Sequence, residues 1–253
     1  MKILGMLLVA LLALTGEAPT APAAPVRHLE YAFAIYPTAK SNGGDYNGTL
    51  SVDILGTAPD GGMLVQASEW WYYTLRPRQT RECEIYAGGT VRCDDVPPYP
   101  SEVELALFPL LARDFLRGSS SNATSSWQQK FELSFAKGLY VTAASMDLTA
   151  TPQNGGPVVI VTSKGLFQQL DRRDRKTFEE GQFVYDRAAS LPVVVHEVRS
   201  PTPTGSIYSQ TAINLQLMKD SAMPPGAPEL QPLPQPQFQT TTPPRSTAIH
   251  APP

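Results

Sequence analysis

The chain has 253 residues, a charged fraction of 17 % and a formal net charge of −3. That length leaves room for one sizeable domain with a real core. No block of Lys and Arg of the kind nucleic acid demands is present, which argues against duplex binding.

The N-terminus carries a small positive start at Met1-Lys2, an apolar run from Ile3 to Leu14, and the small-residue stretch Ala21-Pro22-Ala23-Ala24. This order reads as an export signal over residues 1–24, placing the remainder in the periplasm or outside the cell. The apolar run is shorter than the ~20 residues a bilayer span requires, so a cleaved signal is expected and no transmembrane span in the mature chain. No Cys lies near the boundary to take a lipid anchor.

From Val26 to Tyr36 the apolar residues alternate through Leu29, Tyr31, Phe33 and Ile35, the period of a strand with one buried face. Turns at Ser41–Asp45 and Pro59–Gly62 separate this segment from strands over 46–55 and 63–75. In the third strand Trp71 and Tyr73 share a face with Met63, Val65 and Leu75, which marks that face as core. Trp70 and Tyr72 then point the other way, beside Gln66 and Ser68. Paired aromatics on a polar face suit a glycan or a protein partner; cover by a loop, by another element or by the C-terminal tail is the competing reading. Arg76, Arg78 and Arg81 follow, as an anion-accepting edge or as ordinary arginines near a turn.

The two cysteines, Cys83 and Cys93, enclose E-I-Y-A-G-G-T-V-R. A hairpin loop at Ala87-Gly88-Gly89 sets Tyr86 against Thr90, Ile85 against Val91, Glu84 against Arg92 and Cys83 against Cys93. In an exported chain this register predicts a structural disulfide and a cross-strand ion pair. A redox pair is disfavoured because Cys-X-X-Cys spacing is absent.

Ser101 to Gly118 is the one convincing helical stretch. Ser101 with Glu104 forms a capping box, and Gly118 suits the residue that closes the far end. At about 100° per residue, Val103, Leu107, Leu110, Leu111 and Phe115 belong to an apolar surface covering more than half the circumference, with Glu102, Arg113 and Arg117 in a narrow polar sector. Pro109 either kinks this helix over 101–117 or divides it into two short pieces. A helix that greasy needs cover on most sides.

Strands are expected again over 127–136, 139–149, 158–162, 178–185, 193–198 and 206–218. The mixed-sign run 171–176 reads as a solvated turn. The fold expected is mainly β, an α+β chain in which a strongly curved antiparallel sheet of about ten strands, a half-barrel, wraps one helix over residues 25–220. From Ser221 the composition shifts to Pro, Gln, Thr and Ala, so 221–253 reads as a disordered tail, a tether or a ligand for a proline-recognition module.

The layout resembles the half-barrel proteins of bacterial envelopes related to the lipoprotein-localisation carrier. Gly181-Gln182-Phe183-Val184-Tyr185-Asp186, followed by Ala188-Ala189-Ser190-Leu191-Pro192-Val193, is similar to a hairpin common in that superfamily. The resemblance implies a hydrophobic-ligand cavity between sheet and helix, and no functional residue carries over from it.

Few residues in the chain point to catalysis. Histidines occur at His28, His196 and His250, none at metal-ligand spacing, and no nucleophile elbow or phosphate loop is present. No metal site, cofactor or catalytic residue is expected, although a hydrolase with dispersed acids remains an alternative. The reading is therefore an exported non-enzymatic protein binding an apolar ligand, a lipid or acyl chain, with Leu107, Leu111 and Phe115 on the ligand side. Its rival is an envelope interaction domain that meets a partner protein or glycan through Trp70 and Tyr72.

Overall fold

The computed structural model describes residues 25–37, 46–72, 79–94, 101–153, 156–170, 175–202 and 210–222. The expected export signal over 1–24, the expected tail from 223 onward, and Tyr73, Arg76 and Arg78 lie outside the described residues. The strands are β1 (Arg27–Pro37), β2 (Tyr46–Thr57), β3 (Met63–Trp71), β4 (Gln79–Ile85), β5 (Val91–Cys93), β6 (Ser125–Phe135), β7 (Tyr140–Pro152), β8 (Val158–Gln169), β9 (Lys176–Asp186), β10 (Leu191–Ser200) and β11 (Thr211–Asp220). Among the described residues there is one α-helix, α1, over Glu102–Leu107.

The sheet is curved and wraps the helix, but it closes where an open half-barrel of about ten strands was expected. Eleven strands form a barrel in the order β1-β11-β10-β9-β8-β7-β6-β5-β4-β3-β2. Closure comes from β1, which pairs with β2 along one edge and with β11 along the other, Phe33 meeting Leu215 and Ile35 meeting Ile213. An edge strand left open would expose a row of unpaired amides and carbonyls, and pairing the first strand with the last removes both edges at once. Three register shifts, at Glu30/Tyr31, Ile54/Gly56 and Pro192/Val194, supply the bends that closure needs. The last one accompanies a tie across the interior, where the buried Tyr31 hydroxyl donates to the Pro192 carbonyl at 3.0 Å.

All neighbouring pairs are antiparallel except β5 with β6, which run parallel over Val91–Cys93 and Leu133–Phe135. Parallel neighbours need a crossover. Here the crossover passes through the lumen. From residue 101 the chain runs as α1 and the following turns to Gly118, from the end of the barrel where β5 stops to the end where β6 begins. Val103, Leu107, Phe108 and Phe115 have no exposed surface, and Leu110 and Leu111 retain 1 % and 2 %. Phe115 stacks on Tyr185 with ring centroids 5.7 Å apart. Residues 101–118 are thus a plug made of the protein's own crossover.

The plug is not one helix over 101–117. α1 ends at Leu107, and Phe108–Leu111 form a 3-10 turn with Pro109 in its first positions. Proline lacks the amide an α-helix would need there, and its ring collides with the preceding turn. The capping box at the start is present: Glu104 N donates to Ser101 Oγ at 3.0 Å, and Ser101 N donates to Glu104 Oε2 at 2.9 Å.

The cysteine hairpin takes the expected register, Cys83 opposite Cys93, Glu84 opposite Arg92 and Ile85 opposite Val91, with the disulfide between them. Gly88 and Gly89 both adopt positive φ in its turn, the conformation that favours glycine. The partners of the charged pair are Tyr86: Glu84 accepts its hydroxyl at 2.5 Å, and the Arg92 guanidinium lies 4.9 Å from its ring centroid. The Gly181–Val193 segment is a hairpin, β9 to β10, with Leu191 opposite Asp186 and the Asp186 carboxylate accepting Ala188 N at 2.8 Å. Outward-facing positions include Glu82, Lys130, Glu132, Asp147, Lys164 and Glu180, all exposed, the opposite of the apolar band on a lipid-facing barrel.

Candidate functional site at the mouth of the barrel

The end of the barrel where α1 begins gathers most of the interior's charge. Strand alternation places Glu69 on the same inward face as Met63, Val65 and Ala67, and Glu197 and Arg199 on the face of Val193 and Val195. Glu69, Arg81, Glu104, Glu179, Glu197 and Arg199 are all buried, each with 7 % or less of its surface exposed. Burying a charge costs several kcal/mol unless it is paired. The start of α1 organises the pairing, because Glu102 and Glu104, two positions apart, leave opposite sides of the helix.

On one side the carboxylate of Glu104 accepts Arg81 Nε at 3.1 Å. Glu69 accepts the Ser101 hydroxyl through one oxygen and the Trp71 indole N–H, at 2.9 Å, through the other. The Arg81 guanidinium also lies 5.6 Å from the Phe135 ring centroid. On the other side Arg199 donates Nη1 to Glu102 at 2.6 Å and Nε to Glu197, and lies 5.3 Å from the Phe167 ring centroid. Glu179, directly opposite Arg199 in the β9–β10 register, accepts the Ser163 hydroxyl at 2.6 Å. Among the described residues, Glu179 Oε2 and Arg199 Nη2 have no hydrogen-bond partner.

Two glycines make the room Glu179 occupies. A Cβ on Gly181 would stand 2.6 Å from Ser163 Oγ and 2.9 Å from Glu179 Oε1, and one on Gly165 would stand 2.9 Å from Glu179 Oε2. Any larger residue at either position would drive the carboxyl out of its place.

Each cluster thus sets two buried carboxyls against one arginine. Burial, and then the neighbouring Glu104 carboxylate, push the Glu69 carboxyl up to about 7. Burial, and then Glu197, push Glu179 up to about 8. Glu104 and Glu197 are also raised by burial, against the pull of Arg81 and Arg199 respectively. A proton held within each pair at neutral pH offsets the negative charge its single arginine leaves.

Beside the Arg199 cluster, a cavity of about 380 Å³ lies between α1 and the β7–β11 wall, lined by Glu102, Leu105, Thr142, Phe167, Arg175 and Arg199 among others. Its volume falls in the range of small-molecule sites. Thr177, Ser200 and Thr211 add hydroxyls, while Leu105, Phe167 and Pro201 add apolar surface. Among the described residues, no three His, Cys, Asp or Glu are grouped so as to hold a metal ion.

The residues singled out from the sequence fall in different places. Leu107, Leu111 and Phe115 are sealed in the packed interior; the parts of α1 that reach the cavity are Glu102 and Leu105. Trp70 and Tyr72 stand on the outer face near the same end, 39 % and 60 % exposed, while Trp71 turns inward, its ring 4.9 Å from that of Phe33. Arg81 is no surface arginine: it is buried in the first cluster. His28 bonds Asp53 at 2.6 Å and His196 bonds Asn214, so both are satisfied on the barrel wall. Sequence reading passed over Glu69, Glu179, Glu197 and Arg199; the available signal was a charge at an inward position of an otherwise apolar alternation.

Fold and site together define a closed eleven-stranded barrel filled by its own crossover, with a small cavity and two carboxylate pairs at its mouth. Comparison with known proteins finds no matching family model, no matching curated protein and no matching solved structure. Among the described residues no helix is long and apolar enough to cross a membrane.

Proposed function

We propose that this is an exported, non-enzymatic binding protein that seats a small amphipathic molecule between sheet and helix at the barrel mouth. The observation that carries this reading is the 380 Å³ cavity against α1, with Phe167 and Leu105 offering apolar surface and Arg199, Glu102 and several hydroxyls offering polar contacts. An acyl chain fits the apolar part, and a hydroxylated or charged head fits the rest. The wider interior contributes rigidity, since the plug's core residues leave no surface for a ligand beside them. The likeness to envelope carrier proteins belongs to this proposal as a likeness of layout, a curved meander around a helix.

The test is titration of the full chain with octyl glucoside and with dodecanoate by calorimetry, repeated on Leu105→Trp, which fills the cavity. Saturable binding that Leu105→Trp abolishes supports the site. Absence of binding by both amphiphiles, or equal binding by the filled variant, removes it.

A second reading is favoured by the exposure of Trp70 and Tyr72 on the outer wall. Exposed aromatic pairs anchor protein partners and stack on glycans. Here the double variant Trp70→Ser, Tyr72→Ser keeps its unfolding midpoint and loses retention on a peptidoglycan or glycan column; unchanged retention sinks this second role.

A further inference from the structure

We propose that the two carboxylate pairs are a proton-operated latch on the plug. With one proton in each pair the head of α1 stays seated against the barrel wall; with both pairs fully ionised the head lifts and the mouth cavity opens. The inference rests on the cavity as the binding site and names how that site is regulated.

α1 has six residues, far too few to persist as an isolated helix. Among the described residues, the side-chain hydrogen bonds from its start to the wall run through the two clusters: Ser101 to Glu69, Glu104 to Arg81, and Glu102 to Arg199. They leave the helix on opposite sides, so it is held between two arms of the barrel. Removing either arm leaves the other to act alone.

Each arm faces more carboxylate than arginine. Glu69 on β3 sees the Trp71 indole and the hydroxyl of Ser101, with the Glu104 carboxylate of α1 and the Arg81 guanidinium of β4 beyond. Glu179 on β9 sees Ser163 on β8, Glu197 and Arg199 on β10, and through Arg199 the Glu102 carboxylate of α1. Fully ionised, four buried carboxylates and the half-exposed Glu102 would share two arginines. In the first pair Glu104 belongs to the plug and Glu69 to the wall, so their repulsion acts between the two bodies; in the second, Glu179 and Glu197 are both on the wall, and the plug's Glu102 is tied to them through Arg199, for which all three compete. The least costly relief is separation at the head, because the plug's far end is fixed by the Phe115–Tyr185 stack and by Gly88 N donating to Asp114 Oδ1 at 2.7 Å.

The sign follows from linkage. The seated head binds protons more tightly than a lifted, hydrated one, so seating is fully favoured in acid. It weakens as pH rises from the ordinary carboxyl range and has lost this support once pH passes about 7 for Glu69 and about 8 for Glu179. Each group changes the seating equilibrium by up to about tenfold per pH unit within its window.

The test is amide hydrogen exchange on the full chain at pH 6 and pH 8.5, corrected for the intrinsic rate. Peptides covering 101–111 should lose at least about tenfold of protection relative to β9 and β10 peptides. Without any change at the acids, the Trp70→Phe, Trp127→Phe background reports Trp71 emission alone and should show a transition near pH 7. Glu69→Gln with Glu179→Gln should hold the 101–111 protection constant. Protection that stays constant in the wild-type chain, or that falls in step with the strands, overturns the latch. Octyl glucoside titrations at both pH values separate the two proposals. Equal binding at both pH values without an exchange change keeps the site and discards the latch. No binding at either, beside pH-dependent exchange, discards the site and the latch's role as its gate.

Discussion

Replacing Glu179 by Gln is the most informative single change, because it removes a titration while keeping shape. The Glu179 carboxyl is held from an ordinary 4.5 up to about 8, first by burial and then by Glu197. That distance corresponds to roughly 5 kcal/mol of cost in the fully ionised native state, an upper figure since neighbours and water relax around a new charge. The direction is fixed: a raised carboxyl makes the native state bind more protons than the unfolded chain, so stability is highest below about pH 4.5 and declines as pH climbs to 8. Over that window one group accounts for a slope of about 1.4 kcal/mol per pH unit. Urea unfolding of wild type and Glu179→Gln, followed by circular dichroism at pH 5, 6, 7 and 8, reads this slope directly. The variant should match wild type within about 1 kcal/mol at pH 5, because a neutral amide resembles a protonated acid, and exceed it at pH 8. A wild-type stability that is flat from pH 5 to 8, or a variant with the same slope, refutes the argument.

Other outcomes follow from the same contacts. Cys83→Ser with Cys93→Ser releases a loop closed over a sequence separation of 10 and should lower unfolding free energy by about 3 kcal/mol, measured by urea titration under oxidising conditions. Leu107→Ala, at a fully buried position on the plug, should cost about 2–5 kcal/mol; a change under about 0.5 kcal/mol would place Leu107 outside the core. Gly181→Ala brings a Cβ within 2.6 Å of Ser163 Oγ and should destabilise by about 1–3 kcal/mol. Pairing it with Glu179→Ala should recover part of that loss, since the crowded carboxyl is gone.

The strands and the cysteine hairpin were legible because they depend on near neighbours. Alternation through Leu29, Tyr31, Phe33 and Ile35 gives a face, and counting outward from Ala87-Gly88-Gly89 gives the Cys83–Cys93 register without knowledge of the rest of the fold. The capping box at Ser101 is likewise local. Closure was not legible, since nothing in β1 or β11 alone says that Phe33 finds Leu215 across nearly the whole chain. The route of 101–118 is written only in the parallel pairing of β5 with β6, a three-residue contact.

The candidate site was hidden for a different reason. Glu69, Glu179, Glu197 and Arg199 occupy inward positions where alternation calls for apolar side chains, and each is tolerated only because a partner from a distant element meets it. Arg81 lies just past an exposed-looking run of arginines, yet its partner Glu104 comes from the plug. Gly165 and Gly181 look like strand weaknesses until Glu179 is seen between them. In each case the deciding contact is long-range, and a pattern of period two cannot carry it.

Whether residues 101–118 fill the barrel is best decided by proton–proton Overhauser contacts in solution. The account predicts cross-peaks between the Phe115 and Tyr185 rings, whose centroids stand 5.7 Å apart, together with amide contacts between β1 and β11 around Phe33 and Leu215. A Phe115 ring with no contact to Tyr185 or Phe183, and β1 amides that exchange freely along the edge facing β11, would contradict it.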